Sequence, residues 1–249
     1  MAAAVAPGCR PKRPAATAAT SVGQGERFEA GTPVYDEYFA TVHELHSAVA
    51  TAELEERDAC TSLATMLHLL PTASAEQVLR KLRERTDELP RMRLVIDAAG
   101  EHDEDQHAKI ELLDGARPED DVRNLIMIME ATARADLDLA ARMAELPERS
   151  HRMHSVGKAL IDGTDKEFAD QSPQRRQRIR RELEASLDVL VLVANAAREV
   201  EKRARAFVAG MQDALTDTED NEPAQASSPG PVGQPPPPPK PRMPDDFNP

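Results

Sequence analysis

Four groups of residues in this chain have types and spacings that chemistry could use. Glu104 with His107, and Glu148 with His151, form Glu-x-x-His pairs. Carboxylate-bridged di-iron bundles use such pairs because residues three apart project from one helix face toward a shared centre. That use needs a mid-helix position facing the core and partner glutamates from two other helices. Glu104 and His107 fall in a polar loop, and Glu148 and His151 follow Pro147 directly, so neither pair is placed to hold a metal. His43-Glu44-Leu45-His46 has the letters of a zinc protease motif. The motif needs its histidines four apart with the glutamate between them; the shorter spacing here makes an ordinary helix surface, with His46 touching the seam. Glu101 to Asp105 is a dense anionic loop. Read as an EF-hand from Asp103, it puts Ala108 where the sharp turn needs Gly and Asp114 where a bidentate Glu belongs, which leaves a solvated acidic loop.

The fourth group is cationic. Arg175, Arg176, Arg178, Arg180 and Arg181 crowd the first turns of a helix that opens at Ser172-Pro173. Cations at a helix N-terminus oppose its dipole, at a cost of about 0.3 kcal/mol each when exposed. Two offsets are open: neighbouring acids such as Glu182 and Glu184, or an anionic partner, phosphate or lipid headgroup. These five arginines are therefore the candidate anion or partner contacts. The chain has no Gly-rich phosphate loop, no Gly-x-Ser-x-Gly elbow and no paired-cysteine metal spacing. No catalytic residue, metal ligand or cofactor is read from it, and a non-enzyme is expected.

Composition narrows the classes further. Charged residues make up 30% and aromatics 3%, with no Trp, so rings on which sugars or bases could stack are scarce. The net charge is −13. It is +2 over residues 1–34 and −4 over 216–249, which leaves −11 on the body. An acidic body repels phosphate backbones, which excludes nucleic acid as the expected partner. The two cysteines, Cys9 and Cys60, make no disulfide framework. No run of 18 apolar residues occurs, so no membrane-spanning helix is expected.

The elements that must carry these groups are long helices. The dominant one runs from Ser172 to Leu215. Ile179, Leu183, Ser186, Leu190, Val193, Ala197, Val200, Ala204, Phe207, Met211 and Ala214 fall in one heptad register. At about 1.5 Å per residue this helix is roughly 65 Å long, and other long helices must lie beside its stripe. Ser172 is its N-cap and Pro173 its first residue. A first helix is expected from about Pro33 to Leu70, stopped by Pro71. Its seam is Tyr35, Phe39, Val42, Val49, Cys60, Leu63, Leu67 and Leu70, interrupted by Glu53 and Glu56. Cys60 reads as a small buried hydrophobe. A second helix opens with a Ser74/Gln77 capping box and ends near Leu89, before Pro90. In 91–113 the period shifts to two: Met92, Leu94 and Ile96, then Ile110 and Leu112, alternate with polar residues. This is a β-hairpin pattern; since a lone hairpin is marginal in water, its apolar face must lie on the helices. A third helix, with Pro118 in its first turn, carries Val122, Leu125, Met129, Leu139, Met143, Leu146, Met153 and Leu160 in one register to a C-cap at Gly163. Pro147 lies inside it and predicts a kink or a break.

The expected fold is thus mainly α: an elongated antiparallel bundle of about four long coiled-coil-like helices with a β-hairpin insertion. The bundle occupies 34–216. Residues 10–33 lack hydrophobic periodicity and read as a flexible tether. Residues 217–249 read as a disordered acidic and Pro-rich tail, with Pro235 to Pro239 favouring an extended polyproline rod. Pro235-x-x-Pro238-x-Lys240 is similar to an SH3 ligand, although a spacer is the simpler role.

Residues 1–9 read Met-Ala-Ala-Ala-Val-Ala-Pro-Gly-Cys. Small apolar residues ending in Gly-Cys and followed by a polar tether resemble the end of a bacterial lipoprotein signal peptide. The resemblance covers this segment alone. It lacks a basic start, and Ala6 stands where Leu is usual; a start upstream of Met1 would supply the missing part, and the other reading is an Ala-rich terminus with a chance Gly-Cys. The resemblance implies that Cys9 is the first mature residue and the lipid attachment site. An envelope location follows, in the outer membrane or on a periplasm-facing membrane, where the chain binds or spaces another envelope component. The alternative is a cytoplasmic coiled-coil scaffold that forms homo-oligomers.

Overall fold

The computed structural model describes residues 28–86, 88–98, 106–113, 115 and 117–216. They form α1 (Pro33–Met66), α2 (Ala75–Thr86), β1 (Met92–Ala98), β2 (Gln106–Leu112), α3 (Asp120–Glu167) and α4 (Pro173–Thr216). The expected architecture is present: a mainly helical protein with four helices, a two-stranded antiparallel hairpin between the second and third, and α3 packed along α4. The helices are unequal, with 34, 12, 48 and 44 residues in chain order. The first halves of α1 and α4 share a core with the second half of α3, so α3 runs antiparallel to both. All eleven heptad positions predicted along α4 are buried. Ser172 caps that helix as expected, accepting the Arg175 N–H at 3.3 Å.

Several boundaries differ from the sequence expectation, each for a local reason. Helix α1 ends at Met66 rather than near Leu70, because the chain turns into a left-handed residue at His68, φ 58°. The His68 N–H reaches the Thr65 carbonyl at 3.1 Å and the Leu69 N–H the Ala64 carbonyl at 2.9 Å. This pair of bonds is a Schellman motif, which closes a helix without proline. Leu70 is consequently 75% exposed and does not belong to the seam. The capping box of α2 is formed, with the Gln77 side chain accepting the Ser74 N–H at 2.8 Å and Ser74 Oγ accepting the Gln77 N–H at 3.3 Å. The helix stops at Thr86. Tighter bonds then carry the chain toward Pro90, from the Glu88 N–H to Arg85 and from the Leu89 N–H to Thr86.

Pro118 lies just outside α3, because Glu119 is the N-cap and Asp120 the first helical residue. Pro147 does not break the helix, which is continuous to Glu167. Proline forfeits one bond to the residue four before it; here Met143, Leu146 and Ser150 are buried on both sides of that point, so packing continues through it. Gly163 is helical, and Phe168 is the C-cap, its N–H bonded to the Thr164 carbonyl at 3.0 Å.

The hairpin pairs Met92 with Leu112, Leu94 with Ile110 and Ile96 with Ala108. Met92, Leu94, Ala108 and Ile110 are buried against the helices, while Arg93 and Glu111 pair across the strands at 2.9 Å on the open face. Its edges are closed by side chains. Glu130 on α3 accepts the Ile110 N–H at 2.8 Å, and the neighbouring Arg134 Nε donates to the Ala108 carbonyl at 3.1 Å. Gln212 on α4 donates to the Leu94 carbonyl at 3.3 Å on the other edge. Open strand edges invite pairing with other chains, and these bonds occupy them. Glu130→Ala strands the Ile110 N–H and releases Arg134. The expected loss is about 1 kcal/mol of stability, read by urea unfolding, with faster amide exchange at Ile110 than elsewhere in the hairpin.

Candidate functional site

The core is in two parts. One cluster joins the first halves of α1 and α4 to the second half of α3. The other joins the end of α1, α2, the hairpin, the first half of α3 and the end of α4. On α1 the boundary is the stretch between the buried Ala52 and Leu63, within which no residue is buried. Glu53, Glu56 and Cys60 lie in this interval, so α1 supplies carboxylates where a seam would supply leucines. Helix α2 is short and stands off this region, and α4 presents Ala204, a small residue, toward it. The space left is a cleft of about 1080 Å³. α1, α2 and α4 wall it, and Asp136 of α3 lines it from below.

Asp136 is 2% exposed. It occupies the apolar register of α3, one heptad after Met129 and one before Met143. Burial, and next to it the charge of Glu56, push its carboxyl up to about 7. Hydrogen bonds to a carboxylate would work the other way, and none contributes at Asp136. Glu56 is itself held by the guanidinium fork of Arg203, at 2.8 and 2.7 Å. That two-bond contact keeps the Arg203 charge firmly in place. Cys60 lies half-buried beside them, its thiol 3.9 Å from the Ala73 carbonyl. Burial, Asp136 and Glu56 all push that thiol upward, so it is a poor nucleophile at neutral pH. Cys60 is therefore a wall of the cleft rather than a fully buried seam residue. Leu79 and Phe207 add apolar surface, and Arg57, Glu76, Arg80 and Arg83 surround the opening.

Four of the five arginines at the start of α4 have partners inside the molecule. Arg176 donates to the Ala169 carbonyl at 3.0 Å and to Phe168 at 3.4 Å, at the end of α3. Arg175 donates to the Ala30 carbonyl at 3.0 Å, and Arg180 pairs with Asp165 at 3.0 Å. Arg178 stacks over the Phe28 ring, 5.4 Å from its centre, and Arg181 is exposed. Cations beside the C-terminal carbonyls of α3 complement that helix's dipole. This offsets the cost of Arg176 at the α4 N-terminus, and Asp165 offsets that of Arg180, in place of the expected Glu182 and Glu184.

Glu148 and His151 lie on the solvent face of α3, with Glu148 bonded to Arg152 at 3.1 Å. His107 is exposed on β2, whereas Glu104, the 101–105 loop, residues 10–27 of the expected tether, the tail and Cys9 lie outside the described residues; residues 28–33 of that tether belong to the bundle instead, with Ala30 buried and the Phe28 ring against Phe39. Among the described residues no group of three or more His, Cys, Asp or Glu could hold a metal ion, and no helix is long and apolar enough to cross a membrane.

Sequence reading missed the cleft, Asp136 and Arg203. Two signals pointed to it: the Glu53/Glu56 interruption in α1, and an acid at a heptad position of α3. Neither alone says that the two meet. No protein-family model, curated protein or solved structure matches the chain.

Proposed function

We propose that this chain is a non-enzymatic binding protein of the cell envelope, tethered through lipid on Cys9, with the bundle as its binding body. The observation that supports binding is the cleft at the break between the two core clusters, where a charged floor meets apolar walls. Such concave sites with a few polar groups are where proteins take small molecules. The tether rests on Gly8-Cys9 and on the segment 10–27, which lacks hydrophobic periodicity. Cys9→Ser in the source cell is expected to move the protein from the membrane to the soluble fraction. Unchanged fractionation contradicts the tether and leaves the cleft unaffected.

A second reading, a cytoplasmic scaffold that self-associates, is favoured by one feature. Val191 and Leu192 are adjacent on α4 and 50% and 53% exposed. This reading requires a dimer or larger in light scattering, and a monomer mass excludes it.

A further inference from the structure

We propose that the cleft is a site for a small amphipathic organic cation, whose ammonium group pairs with Asp136 while its apolar body lies on Leu79, Ala204 and Phe207. The proposal rests on reading the cleft as a binding site and names what that site takes.

The charge arrangement carries it. Asp136, Glu56 and Glu53 line the cleft from α3 and α1, and Arg203, the cation bonded to this group, is committed to Glu56 by both arms of its fork. One buried negative charge is therefore left over. A buried charge is tolerated when it is paired, and otherwise takes up a proton. The upward displacement of Asp136 by burial and by Glu56 is in the direction of the second course. A ligand ammonium supplies the first.

The volume and lining decide the kind of cation. At about 1080 Å³ the cleft is far larger than an ion needs, and its size is that of pockets for organic molecules. The acids do not converge as a metal-ligand set. Cys60, Leu79, Ala204 and Phe207 give the body of the ligand an apolar surface. The groups facing Asp136 from the packed elements are Glu53, Glu56, Arg57 and Cys60 on α1, Glu76, Arg80 and Arg83 on α2, and Arg203 on α4. Arg57, Arg80 and Arg83 are all exposed, so water screens them, and Arg80 also lies 3.9 Å from Glu84.

The test uses the full chain and three probes of equal chain length: hexylammonium, hexanol and hexanoate. Affinity is measured by calorimetry at about pH 8 and about pH 5.5, for the native protein and for Asp136→Asn. Hexylammonium is expected to bind best at the higher pH. Its affinity is expected to fall about tenfold or more at the lower pH and in Asp136→Asn, the scale of losing one partner of a desolvated charge pair. Hexanol binding as tightly as hexylammonium, or hexanoate binding best, overturns the cation and leaves the cleft as a site. Failure of all three probes overturns the cation and the cleft together.

Discussion

Asp136→Asn is expected to raise the thermal midpoint at pH 8 by roughly 5–10 °C and to flatten the pH dependence of stability. The carboxyl titrates near 3.8 when free and near 7 in the fold, because burial and Glu56 both disfavour its charge. Between those values the folded state holds a proton that the unfolded chain has released. Stability contributed by the neutral group is therefore complete below about pH 4, falls as pH rises to about 7, and is level above that. At about 1.4 kcal/mol per pH unit, moving an acid from 3.8 to about 7 costs the folded protein roughly 4 kcal/mol at pH 8. Asparagine has the shape of the protonated acid and no charge to desolvate, so most of that cost disappears. At pH 4 the two proteins are expected to unfold nearly together. A variant less stable than the native protein at pH 8 contradicts an uncompensated carboxylate.

Gly157→Val is expected to cost about 3 kcal/mol or more, the upper range for overpacking a filled core. Glycine inside a helix is about 1 kcal/mol worse than alanine, so its place inside α3, ten residues before the end, needs a reason. α1 and α4 supply one. A Cβ on Gly157 lands on the Tyr38 hydroxyl, 2.8 Å from Tyr38 Cζ and 2.7 Å from Leu187 Cδ2. The missing side chain lets three helices approach, and Gly157→Ala already meets the same atoms, for a net loss of roughly 1–2 kcal/mol. Tyr38 adds a check. Its hydroxyl is buried without a hydrogen-bond partner, and burial pushes it up to about 12. Tyr38→Phe is therefore expected to be neutral or to gain up to about 1 kcal/mol. Combined with Gly157→Ala it relieves the nearest overlap, so the double variant is expected to recover part of the loss in a double-mutant cycle. Gly157→Ala more stable than the native protein contradicts the close approach.

These two sites show which parts of the molecule could be read from the chain. The heptad of α4 is a sum over many positions, and Ser186 or Ala204 cannot disturb it. The hairpin was legible because its period changed from that of a helix to two. Helix ends were less legible. His68 closes α1 in a left-handed conformation that its residue type does not announce, and Pro147 marks a break where helix and packing in fact continue. The cleft depends on relations between elements. Glu53 and Glu56 mark a fault in one helix and Asp136 a fault in another. Their meeting depends on the relative placement of α1 and α3, which local pattern does not encode. The Arg203 fork likewise joins residues 147 positions apart. The arginines of α4 show the opposite case. The pattern was plain, but the partners are the end of α3 for Arg176 and Arg180 and the segment before α1 for Arg175 and Arg178.

The most direct test of the central claim is a titration of the Asp136 carboxyl carbon by NMR, with Asp136→Asn to identify the signal. A buried carboxylate left uncompensated in a cleft predicts a midpoint near 7 in the free protein. Saturating hexylammonium is expected to lower that midpoint, because a paired cation favours the charged form. A midpoint near 4 in the free protein would mean that water or a protein group already satisfies the charge, and the reading of this cleft as a cation site would be wrong.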